Sequence, residues 1–493
     1  MTEIELKFQV PRERREAVAA AVAGRAGAAS VQRLQAVYFD TAGGELAAAG
    51  VALRVRREGP RWVQTLKAAS DDAMTRLEHN VERAGRASEP PLPDPALHEG
   101  TAAGARLAAA LAGVPDAALQ CQYRTDIRRT ARQLRVRGAT LELAFDRGCI
   151  IAGERRLPVC ELEIELLRGS AAALLGTARQ WVARHGLWLD TRSKAERGTL
   201  LAAGQPRSPA RKAATVELRA DMGVSAARRC VLGECLQQVS VNASQVAGGD
   251  FGDEHVHQLR VGLRRLRTAL RLFDVAGEAV ALSEASAALF GALGAARDLA
   301  AVGAPLRERL GQAMSAAGVA LAAPALPLGG AAEPAESMRA AAAQALLLDL
   351  IAATLPGDAA EAEAPAAEAL ARRLRRWHRG VARDAANFAA LDDEGKHRLR
   401  KHVKRLRYAV EFTQCLLGAK KVSRYLRALA ALQERLGALN DVMVAIDAFR
   451  EPAAHDPAAG FALGWLAARR EALIADCTPA IERLARTRRP WKG

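Results

Sequence analysis

The feature that most constrains the fold is an alternation of polar and apolar residues with period two, confined to about the first 200 residues. Clear examples are the segments 3–8, 51–56, 62–67 and 160–165. Successive side chains of a β-strand point to opposite faces, so this alternation predicts strands with one apolar and one charged face. Beyond the linker-like stretch 202–215 the pattern becomes helical almost throughout. We therefore predict a sheet domain followed by an all-helical region.

The length and charge of the chain are consistent with this division and indicate an anionic partner. The 493 residues suit two or three domains, and the net charge of +16 with a pI near 10.1 indicates nucleic acid, an acidic membrane or another polyanion. Seven scattered cysteines without a C-x-x-C pair argue against a disulfide framework or a thiolate zinc site. The N-terminal sequence lacks the apolar core of a signal peptide, and we predict no membrane span, so we expect a cytoplasmic protein.

The charged faces of the predicted strands carry one sign each. Glu161, Glu163 and Glu165 share one face of a strand, and Arg54 and Arg56 share a face of another. A solvated face usually mixes signs, because like charges two residues apart repel, although each strand taken alone is also compatible with a solvated face. If the sheet closes into a barrel, the rows face one another and require a ligand or metal. A condensed phosphate chain held by cations, with Mg²⁺ or Mn²⁺ held by carboxylates, satisfies both rows.

The N-terminal motif Glu3-x-Glu5-x-Lys7 resembles the signature of the CYTH family, the triphosphate tunnel metalloenzymes, and the charged positions that follow keep the order of that family. The resemblance implies an antiparallel eight-stranded β-barrel tunnel with peripheral helices, which hydrolyses inorganic triphosphate with a divalent metal. It implies three groups of site residues: Lys7, Arg54, Arg56, Lys67, Arg129 and Lys194 as catalytic cations; Arg124 and Glu78 as substrate-binding residues; and Glu3, Glu5, Asp146, Glu161 and Glu163 as ligands of Mg²⁺ or Mn²⁺.

The helical half contains an internal repeat, in which a His-x-x-Arg motif at residue 257 recurs at residue 397, an offset of 140 residues. On a helix, the cations of each copy fall within an arc of roughly 80°, opposite an apolar face. A solvated basic face is the simplest explanation of one such helix. However, like charges at i,i+4 repel, and a linear polyanion lying along both stripes would relieve that repulsion.

These segments resemble the CHAD family, named for its conserved histidine and α-helical structure, over roughly residues 218–490. The resemblance implies two pseudo-symmetric four-helix bundles, at about 218–317 and 337–490, that bind inorganic polyphosphate. We expect the motif histidines to contact phosphate and not a metal, because carboxylate or thiolate partners are missing from their stripe. The predicted polyphosphate-binding residues are His257, Arg260, Arg264, Arg267, Arg271, His397, Arg400, Lys401, Lys404 and Arg407.

The sequence therefore predicts a CYTH domain at 1–203, a linker at 204–217 and a CHAD domain at 218–490. The favoured function is hydrolysis of inorganic triphosphate, with polyphosphate bound by the helical half and association with polyphosphate granules as an extension. The alternatives are a non-enzymatic polyphosphate-binding protein and a tunnel enzyme acting on thiamine triphosphate or ATP. Specific nucleic-acid binding is not predicted, because no zinc finger, helix-turn-helix or base-stacking aromatic motif is recognisable.

Overall fold

The structure is a computed structural model that describes residues 2–25, 28–69, 75–84, 89–114, 118–274, 279–326, 333–355 and 365–491. Nine strands lie in the N-terminal part: β1 (Thr2–Gln9), β2 (Ser30–Asp40), β3 (Val51–Glu58), β4 (Arg61–Ala69), β5 (Thr75–Arg83), β6 (Gln120–Val136), β7 (Ala139–Ala152), β8 (Arg155–Gly169) and β9 (Trp188–Leu189). The four segments with period-two alternation all lie in strands, as predicted.

Five helices accompany the strands and ten more follow them in the described part of the chain. The first five are α1 (Arg15–Ala23), α2 (Glu45–Ala48), α3 (Ala102–Leu111), α4 (Ala171–His185) and α5 (Lys194–Ala202). The others are α6 (Val224–Gly248), α7 (Asp253–Phe273), α8 (Val280–Ala292), α9 (Ala295–Ala316), α10 (Pro334–Arg339), α11 (Ala341–Thr354), α12 (Ala366–Ala386), α13 (Asp393–Phe412), α14 (Ala419–Arg450) and α15 (Pro457–Arg486). The prediction of a sheet domain and an all-α region is confirmed.

The strands form one antiparallel sheet in the order β5-β4-β3-β2-β6-β7-β8-β1-β9. β1 pairs with β8 through residues 5–9 and also with β5 through residues 2–4. This second pairing joins β5, at one end of the strand order, to β1 near the other end, as a barrel-like tunnel requires.

The apolar faces of the strands point away from the tunnel and are covered by helices. Leu53 of β3 and Leu66 of β4 are fully buried, and they pack with Leu46 of α2 and Leu107 of α3 in one apolar cluster. The residues that alternate with them, such as Arg54 and Arg56 of β3 and Thr65 and Lys67 of β4, are charged or polar and line the interior cavity. The hydrophobic effect therefore holds the helices against the outside of the sheet and leaves the charged rows inside.

The chain separates into two compact units. The first contains residues 1–212 together with the helical segments 236–259 and 334–355, and the second contains 213–235, 260–333 and 356–493. The helical segments belong to the first unit because polar side chains attach them to it. The backbone amide of Leu189 donates to Gln344 Oε1 over 2.7 Å, and Arg179 NH2 lies 2.7 Å from Asp349 Oδ1.

The second unit is built from helices that bury their apolar faces. In α13 the fully buried residues Leu399, Val403 and Leu406 recur at helical spacing, and α14 buries Leu429 and Leu432. Across the described ranges, no helix has both the length and the apolar character needed to cross a lipid bilayer.

Candidate active site

The interior of the sheet encloses a cavity of about 1580 Å³. The antiparallel register brings charged residues of neighbouring strands side by side, for example Lys7 opposite Glu163 and Asp146 opposite Glu161. The charged residues lining the cavity are Glu5, Lys7, Asp40, Arg54, Arg56, Lys67, Glu78, Arg129, Glu142, Asp146, Glu163, Glu165, Lys194 and Glu196.

Three carboxylates converge at one point of the tunnel. Oxygen atoms of Asp146, Glu161 and Glu163 all lie within 4.8 Å of one another, and in the described part of the chain they form the only such group of potential metal ligands. Asp146 and Glu161 are cross-strand partners, and Glu163 lies two residues further along β8 on the same face. The arrangement follows directly from the period of the strands.

A single ammonium group contacts all three carboxylates. Lys194 Nζ lies 2.7 Å from Asp146 Oδ2 and 2.8 Å from Glu163 Oε1, and it also contacts Glu161 Oε1. Lys194 is the first residue of α5, whose preceding residue Ser193 caps the helix by accepting a hydrogen bond from the amide of Glu196. The capped start of a helix thus fixes the backbone from which this lysine reaches the cluster.

Arginine side chains complete the ion-pair network. Arg129 donates from Nε and NH2 to the two oxygens of Asp146, each over 2.7 Å, and its NH2 also contacts Glu163. Arg197 contacts Glu161 at Oε2, whereas Lys194 contacts it at Oε1. The bidentate contact of Arg129 with Asp146 is the strongest form of an arginine–carboxylate pair.

The network opposes the effect of burial on Glu163 and Lys194. Burial alone would raise the pKa of Glu163, but Lys194 and Arg129 hold it well below its usual value. Burial would likewise lower the pKa of Lys194, but Asp146 and Glu161 raise it above its usual value. The ion pairs therefore favour the charged forms of Glu163 and Lys194.

Other cations line the cavity from β3 and β4. Arg54 NH1 donates to the hydroxyl of Tyr38 over 3.2 Å, and Arg56 Nε donates to Glu58 over 2.7 Å. Lys67 Nζ lies 3.0 Å from Glu78 Oε2. These groups present positive charge to the interior of the cavity.

A second acidic row crosses β1, β8 and β7, where Glu5 is opposite Glu165 and Glu165 is opposite Glu142. Burial and the neighbouring carboxylates Glu142 and Glu5 raise the pKa of Glu165 to about 7. Like charges placed side by side in this way accumulate negative potential at one point of the cavity wall.

The structure places most of the predicted tunnel residues in the lining of the cavity, with three exceptions. Glu161 is fully buried and contacts the lining residue Lys194 without lining the cavity itself. The side chain of Glu3 lies outside the described residues, although its backbone belongs to β1. Arg124 is exposed and is not part of the cavity lining, so the structure does not bring it together with the other predicted substrate-binding residues. Arg124 and Arg129 are five residues apart on the continuous strand β6, and residues at odd spacing face opposite sides of a strand.

Sequence reasoning also missed residues that take part in the network. Arg197 is three residues after Lys194 on α5, so both side chains extend from one face of that helix, and this spacing is a signal that the sequence contains. Glu142 precedes Asp146 by four residues in β7, so the period of the strand already places both carboxylates on one face. Tyr38 stacks on Tyr123 with ring centroids 4.7 Å apart, a contact that depends on the pairing of β2 with β6.

The predicted basic residues of the helical half lie on α7 and α13. Arg260 is buried with its guanidinium 4.4 Å from the ring centroid of Phe290, and Arg264 lies 5.3 Å from the same centroid. His257 is exposed, whereas His397 Nδ1 is 2.6 Å from Asn440 Oδ1. Burial is the main cause that lowers the pKa of His397. The remaining predicted residues of this set lie along the same two helices.

Two family models match the chain. The model described as the CYTH domain matches residues 1–199, and that described as the CHAD domain matches residues 230–450. The first match contains all nine strands of the tunnel, and the second contains both basic helices α7 and α13.

Known relatives match each half separately. An inorganic triphosphatase of Haemophilus influenzae is 29% identical over 170 residues, which are 34% of this chain and 46% of that protein. The chain thus matches less than half the length of that relative. The crystal structure of the CHAD domain from Ricinus communis is 34% identical, with 57% of this chain and 98% of that chain covered and a TM-score of 0.45. A Hippeastrum protein described as having a dominant triphosphatase activity is 19% identical, with coverages of 42% and 98% and a TM-score of 0.29.

The fold and its charged interior therefore define a protein with a β-tunnel domain joined to a basic helical domain. More specifically, the chain contains a CYTH domain followed by a CHAD domain, and it belongs to these two families.

Proposed function

We propose that the N-terminal tunnel hydrolyses inorganic triphosphate with Mg²⁺ or Mn²⁺ and that the helical half binds inorganic polyphosphate. The observation that carries the first part is the convergence of three carboxylates beside a cavity that several cations line. A triphosphate and a hard divalent cation present the complementary charges. The similarity to an inorganic triphosphatase supports the same reaction.

The carboxylate cluster fits a divalent cation by the chemistry of its donors. Asp146, Glu161 and Glu163 offer three oxygens within 4.8 Å of one another, and hard cations take oxygen ligands of this kind. The ammonium of Lys194 contacts all three carboxylates, so the cluster already accommodates one positive group. We propose these three residues as metal ligands, with Glu3 and Glu5 as further candidates. A divalent cation held by these residues would supply Lewis-acid activation of water and neutralisation of phosphate charge.

The cations of the tunnel would bind and orient the phosphate chain. Arg54 and Arg56 extend from β3 into the cavity, and Lys67 extends from the neighbouring strand. Arginine can hold two phosphate oxygens with one guanidinium, and each cation would neutralise charge that develops on the leaving phosphate. Arg129, Lys7 and Lys194 lie beside the carboxylates, where they can hold the reacting end of the chain. Glu78 would orient Lys67 through their ion pair.

Polyphosphate binding by the helical half is proposed from its basic stripes. Arg260 and Arg264 on α7, and Arg400 and Lys404 on α13, occupy the equivalent positions of the two repeats. A chain of linked phosphates would neutralise these cations and release counterions. Recruitment of the enzyme to polyphosphate in the cytoplasm, including its granules, is the corresponding role in the cell.

The test is a phosphate-release assay with triphosphate, longer polyphosphate, thiamine triphosphate and ATP, each with Mg²⁺, with Mn²⁺ and with a chelator. We expect release from triphosphate that requires the metal and is lost in Glu163→Gln, because that change removes one charge from the carboxylate cluster. Long-chain polyphosphate binding by the same variant should be unchanged. Faster release from thiamine triphosphate or ATP would reject the inorganic substrate, and full activity of the variant would reject the metal site.

A further inference from the structure

The two basic helices of the helical half contact each other in an antiparallel register. Arg265 of α7 is 4% exposed, and its NH1 lies 3.2 Å from Glu411 Oε2 of α13. Its guanidinium also lies 4.8 Å from the ring centroid of Phe412 and 5.9 Å from that of Tyr408. An arginine of one repeat is thus neutralised by a glutamate of the other.

The internal repeat predicts a second contact between the two helices at the equivalent positions. The offset of 140 residues makes Arg405 the equivalent of Arg265, and it makes Arg271 the equivalent of Glu411. The side chains that act electrostatically on Arg405 are indeed those of Arg271 and Arg267. The pseudo-symmetric counterpart of an ion pair is therefore a cluster of three arginines.

The three-arginine cluster resembles the contact of Arg265 with Glu411 in its arrangement, but it lacks the negative charge. Arg405 and Arg267 are half-buried, and Arg271 is exposed. The guanidinium of Arg405 lies 5.6 Å from the ring centroid of Trp377 on α12, in place of the aromatic contacts that Arg265 makes. Along α7, residues 265 and 271 are about 9 Å apart, so the two contacts are separate.

The cluster has an electrostatic cost that a bound anion would remove. Burial, followed by Arg271 and Arg267, lowers the pKa of Arg405 to about 10. Burial and Arg271 lower the pKa of Arg267 as well. A phosphate group carries at least one negative charge and several acceptor oxygens, which three guanidiniums can share.

We propose that Arg267, Arg271 and Arg405 form a phosphate-binding subsite at one end of the contact between α7 and α13. At the other end Glu411 neutralises Arg265 and Arg407, so the two repeats differ in their affinity for phosphate. This subsite rests on the proposed binding of polyphosphate by the helical half. It predicts that the phosphate chain binds more tightly at one end of the helix contact than at the other. It also adds Arg405, which is not one of the residues of the two basic stripes, as a phosphate contact.

The test is the variant Arg271→Glu in the full chain. The new carboxylate would pair with Arg405 as Glu411 pairs with Arg265, so the free protein should be at least as stable as the wild type. Binding of long-chain inorganic polyphosphate should weaken by about tenfold or more, and its dependence on salt should become less steep. The control is Arg424→Glu, which makes the same charge change at an exposed position of α14. Polyphosphate that binds in the tunnel would contribute equally to both variants, so it does not affect the comparison between them.

Arg405→Gln provides a second measurement, because it removes one guanidinium without adding a carboxylate, and it should also weaken binding more than the control variant does. Equal affinities for Arg271→Glu, Arg405→Gln and Arg424→Glu would overturn the subsite and leave polyphosphate binding in place. If the wild-type chain does not bind long-chain polyphosphate at all, both the subsite and the proposed function of the helical half are wrong.

Discussion

The ammonium of Lys194 lies 2.7 Å from Asp146 Oδ2, in contact with a cluster of three carboxylates that would also suit a divalent cation. Lys194 and a metal ion would therefore compete for the same oxygens. We predict that Lys194→Ala lowers the melting temperature of the metal-free protein, because three clustered carboxyl groups lose the ammonium that contacts all of them. Addition of Mn²⁺ should then raise the melting temperature more than it does for the wild type. Thermal unfolding with and without Mn²⁺ measures both effects.

The control for this prediction is Lys67→Ala. Lys67 also lines the cavity, but its ion pair is with Glu78. Its loss should reduce triphosphate hydrolysis without increasing the stabilisation by Mn²⁺. A larger Mn²⁺ effect in Lys67→Ala than in Lys194→Ala would show that the metal binds elsewhere.

A second prediction compares an arginine on the cavity side of the sheet with an arginine on its exposed side. Arg54→Gln should lower kcat/KM for triphosphate by about 10- to 100-fold, because one charge-assisted hydrogen bond to phosphate contributes roughly 1.5–3 kcal/mol. Arg124→Gln removes the same type of charge from the exposed face of β6 and should leave kcat/KM unchanged. Steady-state phosphate release from both variants is the measurement. A large loss in Arg124→Gln would place the substrate outside the cavity.

Much of the tunnel could be predicted because a strand has a fixed period. Once Glu161 and Glu163 are assigned to one strand, their common face follows without any knowledge of the fold. The same rule, applied to the odd spacing of Arg124 and Arg129, would have placed Arg124 on the opposite face. The contacts of Lys194 could not be derived from periodicity, because this residue reaches the carboxylates from a helix.

The helical half was less predictable for a related reason. The repeat and the apolar spacing gave α7 and α13, with Leu399 and Leu406 on the buried face. They did not give the register between the two helices, which depends on how side chains pack. The pairing of Arg265 with Glu411 therefore appears only in the structure.

A third prediction concerns pH and a buried histidine at the edge of the tunnel. His98 is fully buried, with its Nε2 2.9 Å from Gln64 Nε2 and its Nδ1 2.9 Å from His79 Nδ1. Gln64 Oε1 accepts from the amide of Asp94, so its Nε2 is the donor to His98. His98 Nε2 must then be an unprotonated acceptor. Burial, followed by the proximity of His79, lowers the pKa of His98 to about 4.

Folding lowers the pKa of His98 from its ordinary value of 6.5. As the pH falls through 6.5, His98 therefore takes up a proton in the unfolded chain but not in the folded chain. Stability is thus retained above pH 6.5 and is lost as the pH falls from there towards 4. The variant His98→Asn lacks the titrating group, so its melting temperature should fall less than that of the wild type between about pH 7 and about pH 5. Parallel pH profiles for the two proteins would contradict this assignment.

The last prediction tests the ion pair between the two basic helices. Glu411→Gln should destabilise the protein by about 2 kcal/mol or more, because it leaves the buried Arg265 without its counterion. Glu394→Gln is the matched control on α13: Glu394 pairs with Arg398 over 2.8 Å, but both side chains are more than half exposed, and such a pair contributes less than about 1 kcal/mol. Chemical denaturation followed by circular dichroism measures both changes. If the two variants lose equal stability, Glu411 does not neutralise Arg265 in solution, and the contrast between this contact and its three-arginine counterpart disappears.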